Sequence, residues 1–169
     1  LVQRAKSGGI QEEKEAVLGI AADVISQMRP GWLYLVGPGT TTKVIMEQLG
    51  LPNTLLGVDV VMDKRLVASD VNESELKELV TERPAMIVLS VIGGQGYILG
   101  RGNQQFSPAV LTTVGAEHIV VVASKEKLAA LAGRALLVDT GDEGFDQILS
   151  GYVKVTTGFR EYCMFKVGT

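Results

Sequence analysis

Apolar side chains recur along this chain with two alternating periods, one helical and one extended, and the alternation lays out most of its elements. Between residues 12 and 28, Val17, Ile20, Ala21, Val24, Ile25 and Met28 fall at helical spacing and form one apolar face, which Pro30 and Gly31 end. Residues 33–36 read as a short buried strand, followed by Gly37-Pro38-Gly39-Thr40-Thr41-Thr42 and a helix carrying Val44, Ile45 and Leu49. Residues 55–61 and 86–92 read as further buried strands, with a helix between them that Asp70 caps, Glu73 standing three residues on as in a capping box. Ser107 and Pro108 supply an N-cap and a first-turn proline for a helix through Val114. A strand over 119–123, a helix from Ser124 through Ala132 and a strand over 135–138 follow.

Strands alternating with helices predict an α/β domain, a three-layer structure with a mostly parallel sheet and helices on both faces. The end of the chain departs from this. Residues 152–156 and 162–167 read as two strands joined by 157–161, an antiparallel pair closing a mixed sheet.

Composition narrows the class further. With 169 residues, 46% of them hydrophobic and 21% charged, residues 1–169 suit one compact domain. Sixteen basic against 19 acidic side chains give a net charge of −3, which offers nothing to nucleic acid or to an anionic membrane. Cys163 is the one cysteine, so no disulfide forms within the chain, and with the one histidine it makes no zinc-ligand set. A cytoplasmic setting is expected, and self-association as a homo-oligomer is left open. No apolar run reaches membrane-spanning length. The first residue is Leu1, so a fragment of a longer chain is expected.

The richest segment chemically is 90–108, where Gly93, Gly94, Gly96, Gly100 and Gly102 accompany Gln95, Arg101, Asn103 and Gln104 directly after an apolar run. Glycines cluster where turns need positive φ or where backbone approaches a ligand, and ligands in open α/β sheets sit beyond the carboxyl ends of strands. Arg101, flanked by glycines, has little to pack on and suits phosphate, while Asn103 and Gln104 suit a base or ribose. The turn Gly37, Gly39, Thr40, Thr41, Thr42 opens a helix whose free N–H groups form a natural phosphate site, or else is an ordinary turn with a threonine N-cap. It lacks P-loop spacing. Asp139 and Asp142, in Asp139-Thr140-Gly141-Asp142, could hold Mg²⁺ or a ribose hydroxyl, or cap the next helix. Asp59 interrupts an apolar strand, which is costly unless the carboxylate is paired or used. His118 and Cys163 read as structural.

Several strings together resemble a known family: 36–42, 57–61, 70–73, 92–96, 138–142 and above all Gly100-Arg101-Gly102-Asn103-Gln104-Gln105-Phe106-Ser107-Pro108. They are similar to the C-terminal half of ATP-NAD kinase-like proteins of the acetoin-catabolism X type. The resemblance implies a nucleotide-binding piece of an enzyme that makes NADP from NAD and ATP with Mg²⁺. Its partner would be the N-terminal half of the same protein, where the family carries the Gly-Gly-Asp-Gly-Thr motif that is absent here. The Asn72-Glu73 pair is similar to the Asn-Glu motif of NAD kinases. The two glycine loops also resemble the sugar-phosphate isomerase and deaminase architecture, although Gln95-Gly96-Tyr97 stands where the deaminases have Asp-Gly-His. A non-catalytic module for a phosphorylated metabolite and a sugar-phosphate isomerase-like enzyme are the alternative functions.

Overall fold

The computed structural model describes residues 2–168, with side chains from residue 9 onward. In chain order the elements are α1 (Val2–Ser26), β1 (Leu33–Val36), α2 (Thr40–Leu49), β2 (Asp59–Met62), β3 (Arg65–Ala68), α3 (Glu73–Glu82), β4 (Ala85–Ser90), β5 (Tyr97–Leu99) and α4 (Pro108–Val114). A 3₁₀ turn (Ala116–His118), β6 (Ile119–Val122), α5 (Lys125–Ala129), β7 (Leu136–Val138), α6 (Glu143–Leu149), β8 (Gly151–Gly158) and β9 (Glu161–Gly168) complete the chain.

The nine strands form one mixed sheet in the order β3-β2-β1-β4-β6-β8-β9-β7-β5. β1, β4, β6 and β8 run parallel, β9, β7 and β5 run parallel to one another, and the antiparallel β8–β9 pair joins the two groups. On the other edge β2 and β3 add an antiparallel hairpin to β1.

Continuous apolar runs serve the central strands because both faces of the sheet are covered. Leu33 and Leu35 of β1, with Ile87 and Leu89 of β4, pack beneath Leu76 of α3 and Leu111 of α4. Tyr34, Val36 and Val88 point the other way, toward Ile20, Ala21 and Val24 of α1 and Ile45 and Met46 of α2. The expected three layers are present. The α1–α2 layer stops at β8, so Tyr152 and Met164 on that face of the hairpin stay exposed.

Four local expectations are corrected. Residues 55–58 are not strand: Leu55 and Leu56 face solvent, and the strand begins at Asp59. Asp63 and Lys64, both at positive φ, instead turn β2 into β3, whose weak alternation hid it. α3 is capped by Asn72 and Glu75, not by Asp70 and Glu73: Glu75 N–H donates to Asn72 Oδ1 at 2.9 Å, and Asn72 N–H to Glu75 Oε1 at 3.1 Å. Asp70 sits at φ 48, outside the extended geometry an N-cap needs. The β8–β9 connection is two residues, Phe159 and Arg160, because the strands pair beyond the expected ends.

Candidate functional site

β1 and β4 are parallel neighbours followed by helices on opposite faces, β1 leading directly to α2 and β4 leading through β5 to α4. Such a reversal opens a crevice between the carboxyl ends of the two strands, the usual ligand position in open α/β sheets. The turn from β1 and the last residue of β4 meet there. A Cβ placed on Gly39 would lie 2.7 Å from both Cβ and Oγ of Ser90, and Gly39 has φ 140, so glycine is required on both counts. Ser90 is 1% exposed, and its hydroxyl has no hydrogen-bond partner among the described residues. A buried polar atom without a partner is uncommon and costs free energy.

Gly39 is the N-cap of α2 and offers no side-chain acceptor, and no acidic residue stands in the first turn. The Thr42 hydroxyl turns back to the Gly37 carbonyl at 2.7 Å and shares its proton with the Gly39 carbonyl at 3.2 Å, so it braces the turn. The first helical bond is Lys43 N–H to the Gly39 carbonyl. The N–H groups of Thr40, Thr41 and Thr42 find no protein acceptor among the described residues; Thr40 and Thr41 border the larger cavity at this positive end of α2, whereas Thr42 is fully buried behind them.

Two cavities flank this helix end. One, of about 500 Å³, lies between α1, α2 and α5, with Ile10, Val17, Leu18 and Val44 as apolar walls and Glu13 and Lys14 at its side. The other, of about 360 Å³, lies toward the 55–56 loop and is lined by Pro38, Leu55, Leu56, Val91, Gly93 and Gly102. Thr40 and Lys127 line both, so the two halves form one cleft along the carboxyl edge of the parallel strands.

The remaining sequence-predicted residues divide between this cleft and the scaffold behind it. Of the glycine-rich segment, Gly93 and Gly102 reach the cleft. The Gly94 carbonyl accepts from the Arg134 guanidinium at 3.1 Å, Gln95 is exposed, and the Gly96 carbonyl accepts from Leu137 N–H at 2.9 Å. The segment is therefore not one loop: β5 runs through it and pairs with β7. Arg101 does have a packing partner, since its guanidinium lies 4.6 Å from the centre of the Tyr97 ring. Asn103 is 1% exposed; its Oδ1 accepts from Gly100 N–H at 3.1 Å and its Nδ2 donates to the Ile98 carbonyl at 2.9 Å. Gln104 Nε2 reaches the Gly100 carbonyl at 3.4 Å. Both carboxamides thus hold the loop itself.

The aspartates are likewise engaged or apart. Asp59 is buried, and its two oxygens accept from Thr54 N–H at 2.7 Å and Asp70 N–H at 3.0 Å. Asp142 caps α6 through Phe145 N–H at 3.0 Å, while Asp139 is exposed after β7. Among the described residues no three His, Cys, Asp or Glu side chains stand together as a metal site. Asn72 and Glu73 open α3, and the Glu73 carboxylate accepts from Ser107 Oγ at 2.7 Å, bracing α3 against α4. Burial pushes the Cys163 thiol above its ordinary range, in keeping with a packed side chain.

Ser90, Lys127, Leu55 and Leu56 were not singled out by sequence. A serine ending an apolar run just before glycines was the available signal for the first. No signal marked Lys127, which reaches the cleft only through the placement of α5.

Among the described residues no helix is long and apolar enough to cross a membrane. No curated protein and no solved structure gives a match to the chain. A family match does exist, covering β1 through β9 and therefore the carboxyl ends of β1 and β4, though not the α1 wall of the larger cavity: from residue 32 to residue 167 the sequence fits the ATP-NAD kinase C-terminal domain, and the chain belongs to that family.

Proposed function

We propose that this domain supplies a nucleotide-phosphate binding site to an ATP-NAD kinase, which transfers the γ-phosphoryl group of ATP to the adenosine ribose of NAD when the N-terminal half is present. The observation that carries this reading is the crevice between β1 and β4, where the N–H groups of Thr40, Thr41 and Thr42 lack protein acceptors among the described residues. Phosphoryl transfer asks a protein mainly to position charged oxygens and to neutralise them, and backbone N–H groups at a helix start do both. The flanking cavities, about 500 Å³ and 360 Å³, have room for the uncharged parts of a nucleotide on either side. Mg²⁺ does not fit this chain's own residues, because the described ones hold no acidic or imidazole cluster, and no step here depends on it.

In this reading the chain by itself binds but does not turn over. Glu13 is the carboxylate at the cleft, and it is already an acceptor for Ser124 Oγ at 3.1 Å. Calorimetric titration with NAD and with ATP, beside coupled detection of NADP, tests both halves of the proposal. Binding of either nucleotide without turnover is expected. Absence of binding removes the nucleotide reading, and turnover of about one per second or faster removes the idea that the chain is inactive alone.

A further inference from the structure

The Ser90 hydroxyl, buried against Gly39 at the start of α2, and the Lys127 ammonium, which lines the cleft beside Thr40, serve no partner among the described residues. Ser90 Oγ is buried and unpartnered, and it faces the space that a side chain on Gly39 would fill. Lys127, half-buried, forms no ion pair among the described residues, although Lys125 two residues earlier pairs with Glu161 at 3.1 Å. Lys127 lines the cleft together with Thr40, at the open start of α2. The other charges there are Glu13 and Lys14, so the cleft carries one more positive than negative side chain.

We infer that Ser90 and Lys127 are the side chains that complete a phosphate cradle at the start of α2, with Ser90 donating its hydroxyl proton to a phosphate oxygen and Lys127 neutralising its charge. This rests on the phosphate-binding reading of the same crevice. An orphaned buried donor and unpaired N–H groups at a helix start each cost the empty fold free energy, and a tetrahedral anion held there satisfies them while Lys127 balances its charge. Arg101 is not needed for that task, being stacked on Tyr97. The two side chains position the ligand rather than react.

The arrangement gives Ser90→Ala an unusual signature. Removing a buried hydroxyl that has no partner raises the melting temperature of the free protein, whereas removing a structural hydrogen bond lowers it. Thermal melts in increasing inorganic phosphate, with chloride at matched ionic strength as control, read both effects at once. Wild type is expected to gain melting temperature with phosphate but not with chloride. Ser90→Ala is expected to start higher and to need at least threefold more phosphate for the same gain. Lys127→Met is expected to start unchanged and to need about tenfold more. A wild type indifferent to phosphate, a Ser90→Ala that melts lower, or either variant keeping the full phosphate response overturns the cradle. NAD or ATP binding with unaltered affinity in both variants also overturns it while leaving the nucleotide reading standing. A phosphate response without nucleotide binding does the reverse.

Discussion

The Asp23 carboxylate of α1 accepts the hydroxyl of Tyr162 in β9, at 2.9 Å to Oδ1 and 3.0 Å to Oδ2, across 139 residues of chain. The same carboxylate takes Arg160 N–H at 3.0 Å and Gln27 Nε2 at 2.9 Å, and it is 2% exposed. One acid thus ties α1 to the β8–β9 turn. Because α1 forms a wall of the larger cavity, this distant bond also sets the position of Val17 and Leu18 over the cleft.

Asp23→Ala leaves the Arg160 N–H and two side-chain donors without their acceptor. A loss of about 1 to 3 kcal/mol is expected in urea unfolding, the scale of hydrogen bonds to a charged group, because the freed donors lie on exposed residues and can take water instead. Nucleotide affinity should fall with it. Tyr162→Phe removes one donor only and should lower the melting temperature less.

The carboxylate of Asp23 holds the Tyr162 hydroxyl above its ordinary value of 10.0, with desolvation acting in the same direction. A group whose value is raised by folding stabilises fully below its unfolded value and loses that contribution as pH rises through the folded one. Stability should therefore be flat through neutral pH with respect to this pair and decline above about pH 10. Absorbance of the ionised phenol, compared between wild type and Tyr162→Phe, locates the transition. A Tyr162 that ionises at or below the usual phenol range would refute it. Glu161 behaves oppositely: Lys125 and the Thr157 hydroxyl hold it below its ordinary value, so its contribution is present above about pH 4.5 and fades as pH falls through the depressed value.

What was legible in the sequence followed how each segment is buried. β1 begins and ends where its apolar run does, because all four residues are buried on a sheet covered from both sides. α4 was equally plain, since the Ser107 cap and Pro108 announce its start, and Ser107 Oγ does accept from Val110 N–H. β3 and β5 escaped notice for opposite reasons. β3 is a half-exposed edge strand with a glycine-free turn, and β5 is three residues between glycines that suggested a loop. The Gly37 to Thr42 string was legible as a turn from strand to helix, and it does open α2, with Gly39 rather than a threonine as the N-cap. Asn103 and Gln104 were read as facing a ligand, but a carboxamide's identity does not say which way it points, and both turn toward backbone.

Two glycines of that segment should respond very differently to alanine. A Cβ on Gly100 would overlap the Asp139 carbonyl oxygen, and φ is 93, so β5 must separate from the end of β7 to accept it. About 3 kcal/mol is expected, combining overpacking with backbone strain. Gly93, also at positive φ, meets nothing within 4 Å. Its alanine variant should cost about 1 kcal/mol, the left-handed penalty alone. Equal losses in urea titrations would contradict the close approach at Gly100.

Asn103 and Arg101, two residues apart in the most family-specific string, should separate stability from binding. Asn103 satisfies two backbone groups inside the fold, Gly100 N–H and the Ile98 carbonyl, and no water reaches a residue that is 1% exposed. Asn103→Ala orphans both, so about 2 to 4 kcal/mol should be lost, at about 1 to 2 for each group. Arg101 lies on the surface over Tyr97, a contact worth about 0.5 to 1 kcal/mol when exposed, and Arg101→Ala should change stability by no more than that. With the phosphate held at the start of α2, Arg101→Ala should also leave phosphate and nucleotide affinity within about twofold, well under the 1.5 to 3 kcal/mol of a charge-assisted bond. Paired urea unfolding and calorimetric titration of the two variants decide it. A large affinity loss in Arg101→Ala at unchanged stability would return the anion to the glycine-rich segment and away from Thr40.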